Sequence, residues 1–198
     1  MLRTLRRDTH GRGVLRVCGL SPNYEVMMRK EPKAAKSNIP DEERAMQYAF
    51  CVLGYRQRSE HEMRQRLERK GYSAQVTDQT LAKLSRLGLL DDREFVESWM
   101  SARPGVGPAR LKQELRIKGI DRTLAEEMIA TGISAEDEWN SAWQVASRAM
   151  QRYAQPFARE DILRVRRLLM RRGFSYDVIS RVCARLSTQV TAEGDWLE

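Results

Sequence analysis

The chain has 198 residues, 41% hydrophobic and 31% charged, with twelve Gly, six Pro and three Cys. That length predicts one or two domains or a short array of small ones. Gly and Pro are too scarce for a disordered or collagen-like chain, no apolar run approaches the ~20 residues that cross a bilayer, and three scattered cysteines (Cys18, Cys51, Cys183) without a CxxC pair speak against a disulfide scaffold or a zinc ribbon.

The net charge of +8 is unevenly placed. Residues 1–40 hold nine Lys or Arg against Asp8, Glu25 and Glu31, which leaves a balance of only +2 for the remainder. This segment reads as a basic, poorly structured arm without helical period. It contains no apolar run of the ~7–15 residues that a secretory signal needs, and Met27 or Met28 is an alternative start. Beyond it, 121–138 is acidic and 159–186 basic, a dipolar body suited to a partner that is part nucleic acid and part protein.

From residue 41 the pattern is helical. Tyr48, Ala49, Val52 and Leu53 form an apolar stripe. Ser59 with Glu62 predicts a capping box opening a helix through Met63 and Leu67, which the left-handed glycine cap Gly71 closes. Ser73 caps a third helix carrying Val76, Leu81 and Leu84. The same grammar returns at Asp91 with Glu94, followed by Phe95, Val96, Trp99 and Met100. Gly105-Val106-Gly107 reads as an interhelix turn with Pro108 at the first helical position. Leu111 and Leu115 lead to Gly119, and Asp121 caps a helix with Leu124, Met128 and Ile129. A third round starts at Ser134 with Asp137 and carries Trp139, Ala142, Trp143, Ala146, Ala149, Met150 and Tyr153. A helix start at Asp161, then Val165, Leu169 and Gly173, and finally Val178, Val182 and Leu186 complete it.

The repeat is clearest at three cap motifs: Leu67-Glu68-Arg69-Lys70-Gly71-Tyr72-Ser73, Leu115-Arg116-Ile117-Lys118-Gly119-Ile120-Asp121 and Leu169-Met170-Arg171-Arg172-Gly173-Phe174-Ser175. Their glycines at 71, 119 and 173 are spaced by 48 and 54 residues. Three tandem three-helix repeats follow, at 41–88, 89–132 and 133–188, with a short acidic tail at 189–198 that includes Trp196. The fold class is all-α, and units of this size must share interfaces with their neighbours. An elongated, curved body is expected, with a radius of gyration for residues 41–198 above the ~15 Å of a compact globule of equal length.

Catalytic machinery is not indicated. His10 lies in the arm and His61 in a first helical turn between two glutamates. There is no GxxxxGK[ST] loop. Asp91-Asp92 and Glu136-Asp137-Glu138 are explained as first-turn acids favoured by the helix dipole. Cys51 and Cys183 fall on apolar stripes as small core residues. The chain is expected to be no enzyme and to need no cofactor or metal.

The run Gly88-Leu89-Leu90-Asp91-Asp92-Arg93-Glu94-Phe95-Val96-Glu97-Ser98-Trp99, then Arg103, Gly107-Pro108-Ala109-Arg110-Leu111 and Glu114-Leu115-Arg116-Ile117-Lys118-Gly119-Ile120, resembles the RecX family signature. Arg56-Gln57-Arg58-Ser59-Glu60-His61-Glu62-Met63 and Leu67-Glu68-Arg69-Lys70-Gly71-Tyr72 agree with it. The resemblance spans about 41–188 and leaves the arm outside. It implies a cytoplasmic, monomeric regulator that lies in the groove of the RecA recombinase filament and lowers ATP hydrolysis, strand exchange and the co-protease activity behind the SOS response, some members also touching DNA. Candidate contacts to RecA or DNA are the basic residues Arg56, Arg58, Arg64, Arg103, Arg110, Lys112, Arg116, Lys118, Arg166, Arg171 and Arg172, with Arg103 and Arg110 foremost because they flank the Gly-Pro turn. The alternatives are a direct nucleic-acid-binding helical protein and a helical scaffold for unrelated partners.

Overall fold

A computed structural model describes residues 40–153 and 158–192. The expectations for the arm, His10, Cys18 and Trp196 lie outside these residues. Among the described residues there are nine helices and no strand: α1 (Asp41–Tyr55), α2 (Glu60–Lys70), α3 (Ala74–Arg86), α4 (Asp92–Ser101), α5 (Pro108–Ile117), α6 (Arg122–Gly132), α7 (Ala135–Met150), α8 (Arg159–Arg172) and α9 (Tyr176–Ala192). The extensive helix-on-helix packing runs within consecutive triplets, α1–α3, α4–α6 and α7–α9.

Each triplet seals its own core. The first buries Ala45, Ala49, Val52, Met63, Leu67, Leu81, Leu84 and Leu90. The second buries Phe95, Val96, Leu111, Leu115, Ile120, Ala125, Met128 and Ile129. The third buries Ala142, Ala146, Met150, Val165, Leu169, Phe174, Val178, Ile179, Val182 and Leu186. The motif leucines Leu67, Leu115 and Leu169 are all fully buried, positions where truncation to alanine generally costs about 2–5 kcal/mol. Cys51 and Cys183 are half-buried, Cys183 against the third core.

The caps explain where the helices stop. Gly71, Gly119 and Gly173 have φ of 95°, 74° and 80°, the left-handed conformation that a side chain penalises. The apolar residue after each folds back, with Tyr72, Ile120 and Phe174 N–H groups donating to Leu67, Leu115 and Leu169 carbonyls. Ser73 accepts the Val76 N–H, Asp91 those of Arg93 and Glu94, and Asp121 those of Thr123 and Leu124. Ser134 and Asp137 form a reciprocal capping box.

Three expectations change. The Ser59 capping box is only half made: Ser59 Oγ accepts the Glu62 N–H, but the Glu62 carboxylate turns to Arg56 and Lys118 instead. Asp161 does not start α8. The helix begins at Arg159, and Asp161, in its first turn, accepts the Ala158 N–H at 3.1 Å. Ala158 has no capping oxygen, so this carboxylate satisfies the end of the helix from inside it. α9 also runs on to Ala192, into the segment read as a tail.

Candidate interaction surface

The triplets meet through corners, and the two corners occupy the same register of the repeat. In each, the residue twelve positions before a cap glycine reaches the residue that precedes the next unit's cap glycine. Ser59 Oγ donates to the Lys118 carbonyl at 2.6 Å. Gly107 N–H donates to the Arg172 carbonyl at 2.8 Å.

Around this shared plan the chemistry differs. The first corner is built from side chains. Glu62 accepts two hydrogen bonds from Arg56, both at 2.9 Å, and one from Lys118 at 2.8 Å. Asp92 accepts the Glu60 N–H at 2.9 Å and so caps α2 from the neighbouring repeat. Burial raises the Asp92 pKa, the Glu60 N–H opposing it. His61 covers Gly119, where any Cβ would overlap the imidazole. At Glu62 burial opposes ionisation, but the bonds from Arg56 and Lys118 outweigh it and hold the pKa down at about 2.

At the second corner the acceptors are backbone carbonyls. Ala109 N–H donates to the Gly173 carbonyl at 3.1 Å, Arg110 Nη1 to the Arg171 carbonyl at 3.1 Å and Arg172 Nη1 to the Gly105 carbonyl at 2.9 Å. A Cβ on Gly107 would overlap the Gly173 backbone, and one on Gly173 the Arg110 backbone nitrogen.

These corners sort the basic residues named from the sequence. Arg56 and Lys118 bond Glu62, and Arg58 lies 4.0 Å from the same carboxylate. Arg103 and Arg110 both pair with Glu114, at 3.6 and 3.2 Å. Trp99 gathers two of them: Arg103 lies 3.9 Å and Lys118 4.9 Å from its ring centre, while its indole N–H donates to Glu114. Arg64 bridges Asp78 and Glu60. Arg172 serves the second corner, and Arg166 rests over Tyr176. Lys112, Arg116 and Arg171 remain. They are exposed, and none has a side-chain hydrogen bond or ion pair among the described residues.

Lys112 and Arg116 sit one turn apart on α5. With Arg122 of α6 they rim a groove of about 340 Å³ floored by Ile120 and Ala125. Glu126 pairs with Arg122 at 3.1 Å, and exposed Ile117 is the next residue after Arg116. A larger cavity of about 550 Å³ between the second and third triplets has more acidic than basic lining, with Glu97, Asp137 and Glu138 against Arg103. The corners, the Trp99 stack and the second role of Asp92 were missed from the sequence. The one available signal was Gly107, a glycine at a helix start where serine or aspartate would serve as well unless a neighbour excludes them.

Comparison with known proteins matches each triplet separately. Residues 45–84 match the model described as RecX, first three-helix domain, 91–129 the second and 136–183 the third. Regulatory protein RecX of Legionella pneumophila (strain Corby) is 33% identical over 142 residues, covering 70% of this chain and 92% of that protein. The Mycobacterium avium (strain 104) protein of the same name is 31% identical over 157 residues, covering 76% and 89%. The Bacillus licheniformis relative is longer: it is 32% identical over 143 residues, covering 71% of this chain and 54% of that protein. The crystal structure of RecX from Lactobacillus salivarius superposes with a TM-score of 0.67 at 24% identity, covering 75% of this chain and 97% of that one, which establishes the shared fold. Three matched domains in the same order, together with relatives spanned over nearly their full length, show that the chain belongs to the RecX family of regulatory proteins.

Proposed function

We propose that this protein regulates the RecA recombinase in the cytoplasm by binding in the groove of the RecA–DNA filament, without catalysis of its own. A ligand shifts a conformational equilibrium only through unequal affinity for its states. Bridging adjacent subunits in a spacing that suits one filament form therefore lowers ATP hydrolysis, strand exchange and co-protease activity together. The observation that supports the reading best is the division of the cations. Arg56, Lys118, Arg110 and Arg172 at the corners are engaged within the fold, whereas Lys112 and Arg116 on α5 have no partner among the described residues and stand beside an open groove. Solvated, unpaired cations of this kind suit acidic protein surfaces and DNA phosphates.

The test is DNA-dependent ATP hydrolysis by the cognate recombinase, titrated with this protein. Lys112→Glu with Arg116→Glu is expected to raise the half-inhibiting concentration about tenfold, roughly 1.4 kcal/mol of binding, with unchanged helicity and melting. Reversal at Arg103 and Arg110 is expected to lower the melting temperature, since it sets new carboxylates beside Glu114. Unaltered inhibition by the α5 variant removes this face from the interface. Tight binding to naked DNA with a salt slope near −0.9 per phosphate contact, and indifference to the filament, would favour the nucleic-acid reading.

A further inference from the structure

The start of α2 concentrates more positive charge than its acids offset. Glu62 and Arg66 lie one turn apart on one face of α2, and Arg58, just before the Ser59 cap, comes within 4.0 Å of the Glu62 carboxylate. Arg56 reaches them from the end of α1 and Lys118 from the end of α5. Glu62 is fully used, by Arg56 at two oxygens and by Lys118. Arg58 is left 4.0 Å from that carboxylate with a side chain only 11% exposed, and its Nε is buried without a hydrogen-bond partner. Half-buried Arg66 has no ion pair among the described residues. Glu60, the other acid in the first turn of the helix, pairs with Arg64. Burial lowers the Arg58 pKa, and the neighbouring charges of Arg56 and Arg66 lower it further.

We infer that this corner is a binding site for a phosphate-class oxyanion, held by Arg58 and Arg66 with Arg56 at its rim. Guanidinium groups present planar pairs of donors that match phosphate oxygens, and bonds to ionised groups are the stronger kind. The ligand places a second negative charge beside Glu62, so it weakens the hold of Arg56 and Lys118 on that carboxylate. The Lys118 ammonium lies 4.9 Å from the Trp99 ring, so occupancy is read in Trp99 emission. The site sits at the corner joining the first two repeats, and occupancy there loosens that corner. Nothing in this depends on the recombinase, so the isolated full chain tests it.

Tryptophan emission and calorimetry are followed at constant ionic strength during titration with inorganic phosphate, pyrophosphate or an oligothymidylate, with chloride as the control. A saturable response to phosphate-class ligands but not to chloride is expected, with the apparent Kd raised at least tenfold by Arg58→Gln plus Arg66→Gln. Trp99→Phe should abolish the emission change while leaving calorimetric binding in place. Response to the oligonucleotide alone assigns the site to nucleic-acid backbone, and response to the small anions as well assigns it to free phosphate chemistry. If the double variant does not fold, Arg66→Gln decides alone, since Arg66 supports no contact of the corner. Equal responses to chloride, or wild-type affinity in a folded Arg66→Gln protein, would overturn the site.

Discussion

Gly173→Ala is expected to cost about 2–5 kcal/mol, against about 1–2 kcal/mol for the same change at Gly71. Both glycines are left-handed caps, at φ of 80° and 95°, and forcing a side chain into that conformation costs roughly 1–2 kcal/mol. At Gly71 nothing lies within 4 Å of the added Cβ, so no further cost arises. At Gly173 the Cβ meets the Arg110 backbone, and overpacking of that kind adds about 1–3 kcal/mol. Gly107→Ala isolates the second effect, because Gly107 has φ of −81° and only the overlap with Gly173 is at stake. Stability in such arrays is close to a sum of unit and neighbour terms. Gly107→Ala should therefore uncouple the third repeat and split one urea transition into two. Equal losses at Gly71 and Gly173 would contradict this account of the corner.

The second large effect is acid sensitivity at the other corner. Glu62 has its pKa depressed from an ordinary 4.5 to about 2 in the folded protein. A depressed carboxyl contributes stability that is fully present above pH 4.5 and is lost as pH falls from there through about 2. The side chain is only 16% exposed, and the shift corresponds to about 2 kcal/mol once some screening is allowed. Glu62→Gln is expected to cost on the order of 2–3 kcal/mol at pH 7, because Arg56, Arg58 and Lys118 are left facing one another. It should also flatten the fall in stability between pH 4.5 and 2, measured by urea denaturation across that range. A parallel decline in the variant would place the acid-labile group elsewhere.

What was legible in the sequence was what local physics controls. Gly71, Gly119 and Gly173 announce helix ends because no other residue takes that conformation cheaply, and Leu67, Leu115 and Leu169 announce the buried faces by helical spacing. Ser59 shows where this fails. Its pairing with Glu62 satisfied the capping-box pattern, yet the carboxylate had a better offer from two cations, one of them 56 positions along the chain. Asp161 fails for the opposite reason: it caps from within the first turn of α8, and spacing alone does not separate that role from a true helix start. The basic residues were the least legible. A charge pattern does not tell a guanidinium stacked on Trp99, such as Arg103, from a solvated one such as Arg116.

Three cores sealed within consecutive stretches of chain also have a consequence for synthesis. Each repeat can close its interior soon after leaving the ribosome, which suits rapid, locally driven folding. The corners have to wait. Ser59 meets Lys118 only when 59 further positions have been made, and Gly105 meets Arg172 after 67. At translation rates of about 5–20 residues per second each delay lasts roughly 3–13 s, so the nascent protein passes through stages in which finished units hang as separate beads before they lock together.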